Sequence, residues 1–177
     1  MTESLITDLE QIQVLAKQRY DEFDVMRYQL QYDDDLSDEQ IDAVVDKVSK
    51  PIIAAIDCTE CANCCRNLDV QLGEDDLQRL SKGLLIPISE IREHVEIQDS
   101  DDPDIIGIFK PKPCAFLKGN LCSVYPHRPT ACADYPQFTP DFRWTLNWMI
   151  EGAHLCPIIY NVLDVMINEV EKLQRGE

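Results

Sequence analysis

The sequence predicts an α+β protein that is mostly α, in which amphipathic helices surround a small β-hairpin and a cysteine-rich core. Apolar residues recur at helical spacing near both ends of the 177-residue chain, which predicts amphipathic helices there. All eight cysteines fall between them, in residues 58–156, where short alternating stretches and turn residues predict strands. A chain of this length predicts one domain, or one domain with a helical extension.

The first part of the chain predicts two helices. Residues 3–32 carry apolar side chains near helical spacing. Ser37, followed three residues later by Gln40, is a capping box that opens a second helix, and Pro51 is expected to kink or end it. We expect residues 1–56 to form a helical extension packed on the core, or an arm that binds a protein partner.

Short elements are predicted after the first cysteines. Alternating apolar residues indicate strands, and an acidic stretch indicates a surface loop. The predicted elements are a strand at 68–72, a helix at 74–82 with Gly83 as its C′ residue, a helix at 88–95, an acidic loop at 96–104 and a buried strand at 105–109.

A β-hairpin and two helices complete the predicted fold. Residues 114–117 and 121–125 flank a turn at Lys118-Gly119-Asn120, which predicts the hairpin. Residues 130–134 predict one helical turn that presents Cys132, and residues 158–177 predict a C-terminal helix. Aromatic residues at irregular spacing lie between them, and they predict core packing or a shield that keeps water from a cluster: Tyr135, Phe138, Phe142, Trp144 and Trp148.

Half of the cysteines lie in one segment of eight residues, Cys58-Thr59-Glu60-Cys61-Ala62-Asn63-Cys64-Cys65. Two residues between thiols let one short turn direct both sulfurs to a single point, as in zinc knuckles and iron–sulfur proteins. Two other interpretations are weaker. Buried cysteines acting as small apolar residues rarely cluster in this way, and neighbouring cysteines such as Cys64 and Cys65 are too close for an ordinary disulfide.

The predicted ligands are therefore thiolates, and zinc and an iron–sulfur cluster, including a four-iron cluster, fit them equally well. Eight thiols suffice for one or two centres. One arrangement places Cys58, Cys61, Cys64 and Cys156 on one centre. The remaining four thiols would then serve a second centre: Cys65, Cys114, Cys122 and Cys132.

The charge of the chain argues against nucleic acid as a partner. The net charge is −17, from 33 acidic and 16 basic residues, and such a surface repels phosphate backbones. No apolar run approaches the roughly 20 residues of a membrane-spanning helix. The first residues do not have the pattern of a secretory signal peptide, so we expect a cytoplasmic protein that does not enter a membrane and whose thiols stay reduced.

The cysteines and their flanking residues together resemble the YkgJ-type CxxCxxCC cysteine-cluster family, which is described as a zinc- or iron-chelating domain. The resemblance covers residues 57–157 and implies a metal-binding domain there. Its segments are the CxxCxxCC run, Pro113-Cys114-x-Phe116-Leu117, Gly119-x2-Cys122-Ser123-x-Tyr125, Arg128-Pro129-x2-Cys132-x2-Tyr135-Pro136 and Cys156-Pro157. This chain has Ala133 where the family often has arginine.

Two functions fit these observations. In the first, the chain is a metal-binding protein in which zinc or a cluster has a structural or accessory role. In the second, it is an iron–sulfur-dependent redox or group-transfer enzyme, since a similar cysteine module accompanies methyl transfer in flagellin lysine methylases. No HExxH, P-loop, GxSxG or dinucleotide fingerprint is present. The sequence leaves open whether the chain is an enzyme.

Overall fold

A computed structural model describes residues 5–97, 102–110 and 112–176. It is 61% helical with a few short antiparallel strands, which confirms the predicted α+β, mostly α class. The helices are α1 (Leu9–Gln18), α2 (Tyr20–Gln31), α3 (Asp38–Ala55), α4 (Cys58–Cys61), α5 (Asn63–Asn67), α6 (Glu74–Leu84), α7 (Ile88–Arg92), α8 (Thr130–Ala133), α9 (Phe142–Gly152) and α10 (Pro157–Arg175), with a 3-10 turn at Tyr125–His127. The strands are β1 (Gln71–Leu72), β2 (Val95–Ile97), β3 (Gly107–Phe109), β4 (Leu117–Lys118) and β5 (Leu121–Cys122).

The chain divides into two compact units. The helical unit comprises residues 1–57 and 136–177, and the cysteine unit comprises residues 58–135. Residues 136–157, which the sequence assigned to the cysteine-cluster domain, lie in the helical unit. The predicted domain boundaries at residues 57 and 157 stay a prediction.

The helical unit is built from long amphipathic helices that bury one face each. α10 packs against α1, α2, α3 and α9, and its apolar side chains lie at the centre of the core. Tyr160 of α10 contacts Phe23 of α2 edge to face, with ring centroids 6.2 Å apart. The predicted capping box is confirmed, because Ser37 and Gln40 exchange side-chain and backbone hydrogen bonds at the start of α3.

The cysteine unit has a smaller core formed by short elements. Among the described residues, β1, β3 and β2 form an antiparallel sheet in that order, and β4 and β5 form the predicted hairpin. The hairpin turn contains Gly119, whose positive φ of 64° favours glycine. The core residues of this unit are Leu72, Leu77, Leu80, Ile91, Phe109 and Val124.

The prediction of one N-terminal helix is wrong, and so is an end of the second helix at Pro51; a kink at Pro51 stays a prediction. In place of the single helix predicted over residues 3–32, the structure has α1, which begins at Leu9, and α2, which begins at Tyr20. The two are separated at Arg19 (φ −99°, ψ 7°). The guanidinium of Arg19 pairs with Glu22 and with Asp164 of α10. The predicted residues 3 and 4 lie outside the described residues. α3 does not end at Pro51 but continues to Ala55. Pro51 is exposed, so water can satisfy the carbonyl that its missing N–H leaves unbonded.

Gly83 does not end its helix as predicted. α6 continues to Leu84, and Leu85 takes the left-handed conformation with φ of 58°. The reason is packing, because the ring of His127 lies against Gly83 in the space that a Cβ would occupy. The glycine thus serves a close approach between two elements, which local turn chemistry cannot reveal.

Other predicted bounds also change. The predicted strand at 68–72 is limited to β1, and the predicted helix at 88–95 ends at Arg92. The predicted acidic loop begins inside β2, which pairs with β3, and its residues 98–101 lie outside the described residues. The aromatic stretch forms α9, a helix that the sequence analysis missed, with Phe142, Leu146 and Ile150 buried. No helix of the described part is both long and apolar enough to cross a membrane.

Candidate metal centre

The cysteine unit contains seven of the eight predicted ligands. Cys58 and Cys61 lie in α4, and Cys64 and Cys65 lie in α5. Cys114 precedes β4, Cys122 lies in β5 and Cys132 lies in α8. Cys156 belongs to the helical unit, where it is buried at the N-cap of α10. All eight cysteines are free thiols that form no disulfide.

The CxxCxxCC segment forms two short helices joined by a sharp turn. Ala62 makes this turn in the left-handed conformation (φ 50°, ψ 23°), although it is buried and is not a glycine. The backbone N–H of Asn63 points at the sulfur of Cys61, with N and Sγ 3.4 Å apart. The local turn therefore places a polarising N–H on a thiol, as expected of a ligand that carries negative charge.

Backbone contacts join two of the later cysteines to this segment and to one another. The N–H of Cys114 donates to the carbonyl of Cys65 at 2.9 Å, and the N–H of Leu117 donates to the carbonyl of Cys114 at 3.0 Å. Leu117 is in turn the antiparallel partner of Cys122. The backbone N–H groups of Phe116 and Leu117 also favour the thiolate of Cys114.

The charges of neighbouring thiolates act on the ionisation of Cys114 and Cys132. Burial raises the pKa of Cys114, and the negative charges of Cys65 and Cys122 act in the same direction. Burial also raises the pKa of Cys132 to about 12, and the charges of the other three thiolates add to the shift, against the opposing charge of Arg128. Because Coulomb interactions weaken with distance and screening, these four thiols share one neighbourhood.

Cys65 differs from the other members of this group. A hydrogen bond from Cys64 is the main cause that lowers the pKa of Cys65 to about 6 from an ordinary value of 9.0, and the charge of Arg66 adds to it. A thiolate at Cys65 also raises the pKa of its neighbours. The group thus combines one ionised thiol with two thiols that resist ionisation.

Arg66 ties the CxxCxxCC segment to the hairpin. Its guanidinium donates to the carbonyls of Cys61 at 2.7 Å and Gly119 at 3.2 Å, and to Oδ1 of Asn120 at 2.5 Å. Asn120 donates back to the carbonyl of Glu60 at 3.0 Å. These contacts hold the two segments that carry Cys65 and Cys122 together across more than fifty residues.

Asp76 positions the helix that carries Cys132. Its carboxylate accepts hydrogen bonds from the backbone N–H and the hydroxyl of Thr130, the first residue of α8, at 2.9 and 3.1 Å. It also accepts from the N–H of Gly73 at the start of α6 and pairs with Arg79. Arg79 donates to the carbonyl of Arg128. One buried carboxylate, 6% exposed, therefore caps two helices.

The chemistry of this donor set fits a soft metal ion or an iron–sulfur cluster. Clustered thiolates repel one another, and a bound cation removes that repulsion. In the described part of the chain, no three His, Cys, Asp or Glu side chains already surround a point where a metal ion would sit. The thiols share a neighbourhood without closing a coordination shell, and all eight remain predicted ligands.

The comparison with known families agrees with this class of site, a thiolate-based metal-chelating domain. The chain belongs to the CxxCxxCC family, described as a "putative zinc- or iron-chelating domain", whose family model matches residues 57–156. This finding supports metal binding by the domain. Neither the curated proteins nor the solved structures contain a match to the chain.

The residues that position the thiols, Arg66 and Asp76, are not among the predicted site residues. Arg66 follows the last cysteine of the motif directly, and an arginine beside a thiolate cluster is a signal that could have found it. Asp76 had no such signal, because its partner Thr130 lies 54 residues further along the chain.

Proposed function

We propose that the protein binds a zinc ion or an iron–sulfur cluster through Cys65, Cys114, Cys122 and Cys132, and that this centre holds the cysteine unit together. The observation that carries the proposal is that thiolate charges from this group act on Cys114 and on Cys132, although the four cysteines lie in α5, in the loop before β4, in β5 and in α8. A shell of four thiolates leaves no open position for a substrate, which favours a structural or accessory role.

The other predicted ligands form a separate part of the proposal. Cys58, Cys61 and Cys64 of the cysteine unit are the candidates for a second centre, and Cys156 stays a predicted ligand. The N–H group that points at Cys61 supports a ligand role for that residue. The first centre does not require them, so the two groups of thiols can be tested separately.

Anaerobic purification followed by metal analysis and a visible spectrum tests the proposal. We expect zinc in a colourless protein, or iron with acid-labile sulfide in a brown one. Cys132→Ser should lose the metal of the first centre. Ala133→Ser is the matched control, because it adds a hydroxyl at an exposed neighbouring position of α8 and should keep the metal. A wild-type protein without metal, or a Cys132→Ser protein with full metal content, would contradict the proposal.

Cys65 favours a second candidate function, that of a redox or group-transfer enzyme. Its pKa of about 6 makes it mostly thiolate at neutral pH, and it is half-buried rather than enclosed. The variant Cys65→Ser separates the two functions. Loss of metal in this variant supports the structural centre, whereas retained metal with lost reactivity toward a thiol-directed electrophile supports the enzyme.

A further inference from the structure

Both tryptophans of the chain lie on the exposed face of α9. Trp144 is 56% exposed and Trp148 is 72% exposed. They are four residues apart, so their side chains lie on the same face of the helix, one turn from each other. With a full tryptophan surface of roughly 250 Å², the pair exposes about 300 Å² of aromatic surface, the size of a functional patch on a monomer.

Trp144 is held in its exposed position. Its Nε1 donates to Oδ2 of Asp38 at 3.1 Å, and Oδ1 of the same carboxylate lies 3.0 Å from Nε of Arg143. The guanidinium of Arg143 is also 5.9 Å from the centroid of the Trp144 ring. A ring fixed in this way loses little conformational entropy when a partner covers it, which is the property of a binding anchor.

The charge around the tryptophans is negative. Asn147 and Glu151 share the exposed face of α9, and Asp38 and the exposed Asp141 lie at its start. Arg143 is the one basic residue in the sequence of α9, and it is 9% exposed because it is turned inward to Asp38 and to the carbonyl of Leu36. The face therefore presents aromatic rings and carboxylates to a partner.

The composition of the helical unit extends the same charge. Residues 1–57 and 136–177 hold 20 acidic and 8 basic residues. A second copy of this chain, with a net charge of −17, would be repelled. A segment that carries arginine or lysine is attracted, and its guanidinium groups can also stack on the indole rings.

We propose that the exposed face of α9, formed by Trp144, Asn147, Trp148 and Glu151, is a docking surface for a basic amphipathic segment of a partner protein. Apolar side chains of the partner cover the two indole rings, and its cations pair with the surrounding carboxylates. This inference is independent of the metal centre, because α9 belongs to the helical unit and carries none of the four thiols of the proposed centre.

Tryptophan fluorescence tests the inference directly, since both fluorophores lie on the proposed surface. The probe is a synthetic peptide of leucine and arginine at helical spacing, titrated into the full-length protein. We expect a saturable blue shift of the tryptophan emission as water leaves the rings, and binding that weakens with added salt. A peptide with glutamate in place of arginine should leave the emission unchanged.

Variants locate the binding. Trp148→Ala should weaken binding at least tenfold, measured by anisotropy of a labelled peptide, with an unchanged helical circular dichroism spectrum as the check of folding. Tyr32→Ala is the matched control, because Tyr32 is 76% exposed in the same unit and lies outside α9. It should bind the peptide as the wild type does.

Three results would overturn the inference. The first is equal peptide affinity in Trp148→Ala and wild type, including no binding by either. The second is a blue shift with zwitterionic vesicles but not with the peptide, which would assign the face to a membrane surface. The third is concentration-dependent dimerisation that Trp148→Ala abolishes, which would assign the face to a second copy.

Discussion

The two compact units stabilise their helices in different ways. In the helical unit, α3 and α10 have 18 and 19 residues, and each buries a long apolar face. In the cysteine unit, the elements other than α6 have five residues or fewer in the described part of the chain. Such short elements are not stable alone. Their positions therefore depend on contacts between residues that are distant in the sequence.

The same capping device occurs in both units and serves different needs. In the helical unit, Asp42 of α3 accepts the N–H groups of Asp141 and Phe142 at the start of α9. In the cysteine unit, Asp76 of α6 accepts the N–H of Thr130 at the start of α8. α9 is also anchored by a buried apolar face, whereas α8 has no buried residue. A cap therefore matters more where the apolar core contributes less.

Metal removal should produce the largest difference in amide exchange between the two units. Without metal, we expect the amides around the thiols in α5, the hairpin and α8 to exchange hydrogen at least ~100-fold faster, because the binding energy of the metal is also folding energy. The apolar core of the cysteine unit should keep its sheet folded, and amides of α10 should keep their rates. Hydrogen exchange with mass spectrometry before and after metal removal measures this. Equal acceleration in both units would contradict the division.

Thiol reactivity should differ sharply within the metal-free cysteine unit. At neutral pH we expect Cys65 to react with iodoacetamide at least ~10-fold faster than Cys132, because their pKa values are about 6 and about 12. The rate at Cys65 should fall as the pH decreases through about 6. Peptide mapping after timed alkylation gives both rates.

The lowered pKa of Cys65 also determines the sign of a pH effect on stability. The folded metal-free chain favours the thiolate, so this group stabilises the fold fully above its ordinary pKa of 9.0 and loses that contribution as pH falls through about 6.

Equal alkylation rates for Cys65 and Cys132 at neutral pH would rule out the described environment of these thiols.

Removal of a capping carboxylate should lower the free energy of unfolding more in the cysteine unit than in the helical unit. Asp76→Ala should lower the free energy of unfolding of the metal-bound protein by about 3 kcal/mol, because it leaves several buried donors unsatisfied. Asp42→Ala should cost about 1 kcal/mol, the usual value of a cap. Denaturant titration measures both.

Asp75→Ala is the control for the Asp76 substitution, because Asp75 is an exposed carboxylate next to it in the same first turn of α6. It should change the free energy of unfolding by less than about 0.5 kcal/mol. A larger loss in Asp42→Ala than in Asp76→Ala would mean that the apolar core does not compensate for a missing cap.

Arg66→Lys should have an effect no larger than that of Asp42→Ala. Lysine keeps the charge beside Cys65 but cannot reach the carbonyls of Cys61 and Gly119 and the amide of Asn120 at once. We expect a loss of about 1 kcal/mol and faster release of metal to a chelator, with a nearly unchanged rate of Cys65 alkylation. Lys118→Arg, at an exposed position of the hairpin, is the control and should release metal as the wild type does.

The sequence alone determined the features that depend on near neighbours. The capping box at Ser37 and Gln40, the hairpin around Gly119, the helical turn at Cys132 and the C-terminal helix α10 were all predicted. Each follows from side-chain and backbone chemistry within a few residues, or from apolar periodicity along one helix. The cysteines and their flanking residues also carry the resemblance to the metal-chelating family that the chain belongs to.

Only the tertiary structure decided the features that depend on distant residues. The cap that Asp76 provides to α8, the ties from Arg66 to the hairpin, the packing of His127 on Gly83 and the continuation of α3 through Pro51 belong to this group. The partition of the eight cysteines into one or two centres stays a prediction. The reason that these features needed the tertiary structure is that burial, charge and space at each of these positions are set by residues that approach only after the chain has folded.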